Sequence, residues 1–291
     1  MVATNETYKK YVLDDLRYHK GLSHPVKSGI LTRIRTKNMA PGLLHPNPLD
    51  EFSIEDIGPN WEIVSDYEKS IRFNISHNLN IIFEDPLIAV KLDKGGYMLL
   101  NGHHRWIAAI NLRVKKVPVK VVNITQDEDI YAAVNKSKHD KCVTIDFDEV
   151  LFSDSIQRNS DSITFPYNLI YKKNIRENAD LLVREFQQMG YDVWIYTGSY
   201  LSDTYIRGLF RMNKCHVNGI VNGLNEKKNP QRLKEIFRQK YSTVLHVDNE
   251  AFTIVNTRNK KYDIVDIASA EKEWAASVVS HVKSFDFTAI D

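Results

Sequence analysis

The run CVTIDFDEVLF, Cys142 to Phe152, sets two carboxylates one residue apart directly behind a β-branched apolar stretch. A stretch of that kind reads as a buried strand, and ligand chemistry in an open parallel sheet gathers beyond the carboxyl ends of its strands. Asp146 and Asp148 at such an end could hold a hard cation such as Mg²⁺. One oxygen would be free to attack phosphorus, and the neighbouring acid would exchange a proton with the leaving group. The plainer reading is a turn cap at Asp146 and a solvated loop acid at Asp148. Three later stretches bear on the choice. VWIYTGS ends an apolar run at Thr197, whose hydroxyl and following amides could hold a phosphoryl oxygen or simply form a strand-end turn. NEKKNP places Lys227 and Lys228 before a helix, where an ammonium could neutralise nucleophile and phosphate or be an ordinary surface cation. TVLHVDNE ends a further run with Asp248, Asn249 and Glu250, so Asp248 is either a third Mg²⁺ carboxylate or another turn residue.

A second group of residues suited to an anion stands in LLNGHHRWIAAI. Gly102 lets the backbone approach a ligand closely, the helix that starts there directs amides outward, and Arg105 offers a two-pronged donor for phosphate. Without a ligand, His103 and His104 would be surface or capping histidines and Arg105 half of a salt bridge. Arg33, Arg35 and Lys37 in GILTRIRTKNM could touch nucleic acid or form a solvated face.

These residues need elements to carry them. A chain of 291 residues is long enough for two domains, and its formal charge of +2 lacks the basic excess that announces a nucleic-acid binder. Two isolated cysteines, Cys142 and Cys215, have no metal spacing and suggest a reducing compartment. The polar start and the lack of a spanning apolar run lead us to expect a cytoplasmic protein with no membrane partner. The polar, basic stretch NKSKHDK, Asn135 to Lys141, marks a seam between domains at 1–138 and 139–291. Residues 1 to about 50 read as an irregular extension with one amphipathic helix near Tyr8 to Tyr18. Strands are expected over Leu87–Leu92, Tyr97–Leu100 and Val117–Val122, with a Gly-Gly turn between the first two and a helix opening after Gly102. Beyond the seam, VTIDF, VWIYT, VNGIV and TVLHVD alternate with helical patterns. That is an α/β order with a parallel sheet, to which YDIVDI adds a strand. A helix is expected over Ile175–Met189, with Ile175, Ala179, Leu182, Phe186 and Met189 on one face; Asn229-Pro230 should open the next.

The succession DFDEV, IYTGS, KKNP and VDNE resembles the haloacid dehalogenase superfamily over roughly residues 141 to 270. The resemblance implies a Rossmann-like three-layer α/β domain using Mg²⁺. Asp146 would form an aspartyl-phosphate, Asp148 would be the general acid/base, Thr197 the phosphoryl ligand, and Asp146, Asp148 and Asp248 would hold the metal. Lys227, in preference to Lys228, would be the catalytic lysine, although KKNP lacks the first proline of the family's frequent Lys-Pro-x-Pro. The acid two residues after the nucleophile is similar to the phosphatase and phosphotransferase branches. FSDSIQRNSDSITFPYNLIYKKN is too short for a large lid, so the cap is minimal and the site open; the first domain could cover it.

LLNGHHRWIAAI and its flanking strands resemble the ParB/sulfiredoxin-like domain, a small α+β fold, over roughly residues 50 to 125. That implies phosphate or nucleotide binding at Gly102, His103, His104 and Arg105. The family includes nucleotide-binding partition proteins, cysteine-sulfinate reductases and free serine kinases. A reductase would need its cysteine where this chain has His103, and a kinase would need a carboxylate base, for which Asp50, Glu51, Glu55 and Glu68 are candidates. The leading expectation is a Mg²⁺-dependent phosphomonoester hydrolase whose substrate is a phosphorylated small molecule, a nucleotide or a nucleic-acid end, with a nucleotide- or phosphate-binding first domain. The alternatives are a phosphotransferase with small-molecule kinase activity in the first domain, or a DNA-associated nucleotide-binding regulatory protein.

Overall fold

The computed structural model describes residues 6–19, 23–79, 82–152, 162–171, 173–223, 230–248, 252–256, 260–263 and 273–284. The chain divides into two units, Met1–Asn123 and Ile124–Asp291.

The first unit is built on a five-stranded mixed sheet in the order β1-β5-β3-β4-β2. Its strands are β1 (Lys37–Met39), β2 (Leu44–His45), β3 (Leu87–Lys91), β4 (Tyr97–Asn101) and β5 (Val117–Val122). β3 and β4 form an antiparallel hairpin, and its turn requires Gly95 and Gly96 because both adopt positive φ, 99° and 72°. The helix His103–Asn111 then carries the chain to β5, which is parallel to β3. β1 pairs antiparallel with β5, and β2 parallel with β4. Residues 37–45, expected as irregular extension, therefore supply both edge strands. At three and two residues, those strands are too short to show an alternating pattern. Val12 from the helical segment 6–19, and Val64 and Ile71 from the helix Trp61–Ser76, close the core with Leu87, Leu99, Ile107 and Val121.

The second unit carries a six-stranded sheet in the order β11-β10-β9-β6-β7-β8. β6 (Lys141–Asp146), β7 (Tyr191–Thr197), β8 (Gly219–Asn222) and β9 (Thr243–Val247) run parallel. β10 (Phe252–Asn256) and β11 (Lys260–Asp263) add an antiparallel edge that the parallel reading did not include; the rest of YDIVDI lies outside the described residues. Alternate strand residues face opposite ways, and each face is covered by helices. On one face Val143, Ile145, Val193 and Ile195 meet Leu182, Phe186, Leu209, Trp274 and Val278. On the other, Cys142, Trp194, Val221 and Val244 meet Ile130, Val134, Ile236 and Phe237.

By packing, the helix Asp127–Lys136 groups with the second unit, its apolar side, Ile130 and Val134, buried in one cluster with Trp194 and Phe237. The helix expected from Ile175 starts at Ala179. Asn178 has φ 66°, which cannot continue a right-handed helix, and the amide of Arg176 is spent on the Leu151 carbonyl at 2.9 Å. Ile175 still reaches the core, from irregular chain. Among the described residues no helix is long and apolar enough to cross a membrane.

Candidate active site at the ends of β6, β7 and β9

Asp146 is the last residue of β6. The parallel register pairs Ile145 with Val247 and Asp146 with Tyr196, so Asp248 follows the β9 residue opposite Ile145 and Thr197 lies one step past Tyr196. Asp146, Thr197 and Asp248 are thus gathered at one edge by strand register alone, as expected for a ligand site beyond the carboxyl ends of a parallel sheet. Asp148 sits in the single π-helical turn Phe147–Leu151, which Phe147, Val150 and Leu151 anchor in the core. Such turns often occur at functional sites because they re-aim side chains without ending the element.

The Asp146 carboxyl is buried, and that burial pushes it up to about 7 from 3.8. A hydrogen bond donated by the Glu149 amide, at 2.6 Å, opposes the shift, while the charges of Asp148, Asp248 and Glu149 add to it. One Asp148 oxygen accepts from the Thr197 hydroxyl at 2.5 Å and the amides of Gly198 and Ser199 at 3.0 and 3.3 Å; the other accepts from the Ser199 hydroxyl at 2.7 Å. The loop after β7 therefore presents two hydroxyls and two amides to one anion. A negatively charged oxygen is what such a set selects, and a phosphoryl oxygen would compete with Asp148 for it.

The sequence reading missed two contributors. Ser199 stands within TGS, and serine after a strand-end Thr-Gly has no distinguishing spacing. Asn222, the buried last residue of β8, donates to the Leu201 carbonyl at 2.5 Å and accepts from the Thr125 amide and hydroxyl at 2.7 Å, which ties down the loop behind Ser199. Lys227, Lys228, Asn229, Asn249 and Glu250 lie outside the described residues.

Asp146, Asp148 and Asp248 would offer Mg²⁺ the carboxylate oxygens it takes, and the ionisation of Asp146 is held back first by burial and then by its acidic neighbours. A divalent cation among them would offset that repulsion.

In the first unit, Gly102 opens the helix His103–Asn111 with φ 94° and supplies no side-chain cap. A Cβ there would lie 2.6 Å from Leu87 Cδ2 and 3.0 Å from Arg105 Nη2, and at this positive φ any side chain is strained, so the turn favours glycine. Of the two histidines, His103 is buried and His104 is half-buried. His103 receives the Asn47 amide at 3.4 Å and is driven down to about 4 by burial, with Asp50 pulling the other way. His104 accepts the Asn60 amide at 3.0 Å and is lowered, again chiefly by burial. Arg105 makes no salt bridge among the described residues. Its guanidinium donates to the Asp85 carbonyl at 2.5 Å and to Asn101 Oδ1 at 3.4 Å, and lies 5.8 Å from the centre of the Phe83 ring. These contacts tie the turn to the chain at Asn47, Asn60 and Asp85. Of the carboxylates considered as bases, Asp50 comes nearest the turn, 3.6 Å from His103 Nδ1, and it also caps the Phe52 amide. Glu68 is bonded to Asn111, and Glu55 lies 3.9 Å from Arg17.

Residues 80–138 match the ParB N-terminal domain family model. The match takes in β3, β4, the Gly102 turn, the helix His103–Asn111 and β5, and runs on through the helix Asp127–Lys136. No curated protein matches the chain.

Proposed function

We propose that the second unit is a Mg²⁺-dependent phosphomonoester hydrolase working through an aspartyl-phosphate, as its resemblance to the haloacid dehalogenase superfamily implies. The observation that carries the reading is the meeting, at one sheet edge, of three carboxylates with a loop that offers two hydroxyls and two amides to an anion. Asp146 attacks phosphorus, its oxygen already oriented by the Glu149 amide. Thr197, Ser199 and the Gly198 amide receive a phosphoryl oxygen as Asp148 leaves them. Asp148, so released, takes up a proton from solvent, gives it to the leaving oxygen, and as a carboxylate again later takes a proton from the attacking water. Asp146, Asp148 and Asp248 would hold Mg²⁺, which supplies positive charge against the phosphoryl oxygens. Lys227 or Lys228 is proposed to add an ammonium to that charge.

The test is phosphate release from a panel of phosphorylated metabolites, nucleotides and 3′- or 5′-phosphorylated oligonucleotides. Release should require Mg²⁺, disappear in Asp146→Asn, and fall about 10²–10⁴-fold in Asp148→Asn on substrates with poor leaving groups. Undiminished release in Asp146→Asn, or full activity in chelator, would overturn the reading.

For the first unit we propose binding of an anionic ligand, a nucleotide or other phosphate, over the Gly102 turn. The family match at residues 80–138 and the uncapped helix start favour it. Arg105 serves by holding Asp85 and Asn101 in place, so Arg105→Ala should weaken nucleotide binding in calorimetry through loss of the turn's shape, and Arg105→Lys should restore little because a point charge cannot span both acceptors. Unchanged affinity in Arg105→Ala would remove the ligand from this turn.

A further inference from the structure

In the first unit, Asp15, His19 and His45 converge on one point, their ligand atoms all within 4.8 Å of one another. Asp15 and His19 are four residues apart on the helix Asp14–His19 and so share a face. His45 comes from β2, held in register with β4 through Met98. Its ring is fixed by the hairpin turn: a Cβ on Gly96 would stand 2.5 Å from His45 Nε2, so glycine there leaves room for the imidazole to aim Nδ1 at Asp15. His45 Nδ1 lies 3.0 and 3.2 Å from the two Asp15 oxygens. A hydrogen bond would explain that pair alone. It does not explain His19, whose Nε2 is 3.6 Å from the same Asp15 oxygen, beyond hydrogen-bond range, with its ring centre 4.4 Å from that of His45.

Two imidazole nitrogens aimed at one carboxylate oxygen make the shape of a metal shell. A tetrahedral Zn²⁺ with bonds near 2.0–2.1 Å separates its ligand atoms by about 3.3 Å, between the 3.0 and 3.6 Å seen for the two nitrogen–oxygen pairs. The two-nitrogen, one-oxygen set suits a borderline transition ion and disfavours Mg²⁺ or Ca²⁺, which take oxygen. All three side chains line a cavity of about 380 Å³ whose walls include Leu13, Leu16, Leu92 and Met98. We propose that Asp15, His19 and His45 form a three-ligand Zn²⁺ site whose fourth position opens into this cavity and is filled by water or by a small ligand with an oxygen or nitrogen donor. Its donor chemistry differs from that of the acidic edge of the second unit.

Co²⁺ is the probe, because its visible absorption is strong when four-coordinate and weak when octahedral. Metal-stripped full-length protein in excess Mg²⁺ should take up one Co²⁺ with the strong band, and one equivalent of Zn²⁺ should abolish it. His19→Ala, at a half-exposed helix end, and His45→Gln should each weaken Zn²⁺ binding by more than about 100-fold, since losing a ligand costs at least what losing an outer-shell partner does. Both variants should keep the wild-type circular dichroism in chelator, and His19→Ala should leave Mg²⁺-dependent phosphate release unchanged. Absence of the strong band, or an equal band in His19→Ala, would reduce the trio to a hydrogen-bonded His–Asp pair with a neighbour and end the proposal.

Discussion

At Asp146, placement and ionisation oppose each other. An unfolded chain releases this proton near 3.8, while the folded chain keeps it until about 7. Between those values the folded state holds a proton that the unfolded state has lost, so stability falls as pH rises through the window. Above pH 7 the metal-free protein bears the full cost. Asp146→Asn removes the ionisable group at nearly constant volume. It should therefore unfold later than wild type in chelator above that pH, by roughly 1 kcal/mol, well short of the full linkage value because solvent screens the site's mouth. Thermal melts across the window check this; an Asn variant less stable than wild type at every pH would show that the carboxylate is compensated without metal. His103 works in the opposite sense. Buried neutral, it stays uncharged down to about 4 while the unfolded chain protonates near 6.5, so stability is present above 6.5 and is lost as pH falls between the two. Denaturant titrations should show a loss on the order of 2–3 kcal/mol across that window, shrinking in His103→Gln. An unaltered pH slope in the variant would place the acid sensitivity elsewhere. The paired acids could be read from the sequence because DxD follows an apolar run. The burial of His103 could not, because histidine at a helix start carries no signal of which side the chain folds over it.

Among the elements, the loop from Thr197 to Leu201 and the turn at Asn101–His103 do the positioning. The end of β7 was legible as an apolar run ending in TGS, and so was the Gly102 turn, where a strand pattern gives way to a helical one. What fixes these segments was not legible, because it comes from chain distant in sequence: Asn222 reaches the Leu201 carbonyl, Asp148 reaches the Ser199 hydroxyl, and Leu87 crowds Gly102. Ser199→Ala removes one Asp148 contact and leaves Thr197 and the amides, so it should lower kcat several-fold without abolishing turnover. The reduction should be larger for poor leaving groups, where the setting of Asp148 matters most. Equal reduction for aryl and alkyl phosphates would assign Ser199 to phosphoryl binding alone. Gly102→Ala meets both a left-handed backbone and a 2.6 Å clash with Leu87, which together should destabilise by about 1–3 kcal/mol. A melting point within error of wild type would show that β3 can shift to admit the methyl. The edge strands β1 and β2 escaped notice for the same reason as these contacts: two or three residues make no period, and only pairing with β5 and β4 makes them strands.

For the chain as a whole, composition and packing divide the two units at different places. A polar stretch around residue 138 reads as a linker because composition changes there, and the family match also stops at 138. Packing places the division fifteen residues earlier, between Asn123 and Ile124. The helix Asp127–Lys136 is amphipathic, and sequence shows that it must bury a face without showing against what. In the structure Ile130 and Val134 lie against Trp194, Val221 and Phe237, on the sheet face opposite the Phe186 cluster. Cutting the chain at the two places therefore has different consequences. A fragment of residues 124–291 keeps the cover over Trp194 and Phe237 together with the Thr125 contacts to Asn222 behind the Ser199 loop. It should be soluble, melt cooperatively, and hydrolyse a small aryl phosphate with the Mg²⁺ dependence of the full chain. A fragment of residues 139–291 loses both. Exposing part of an apolar face costs about 25 cal/mol per Å², and freeing Asn222 loosens the loop that faces Asp148, so this fragment should aggregate or melt well below the longer one and turn over more slowly where it folds. Equal stability and activity in the two fragments would mean that the helix is an accessory of the second unit and not part of its core.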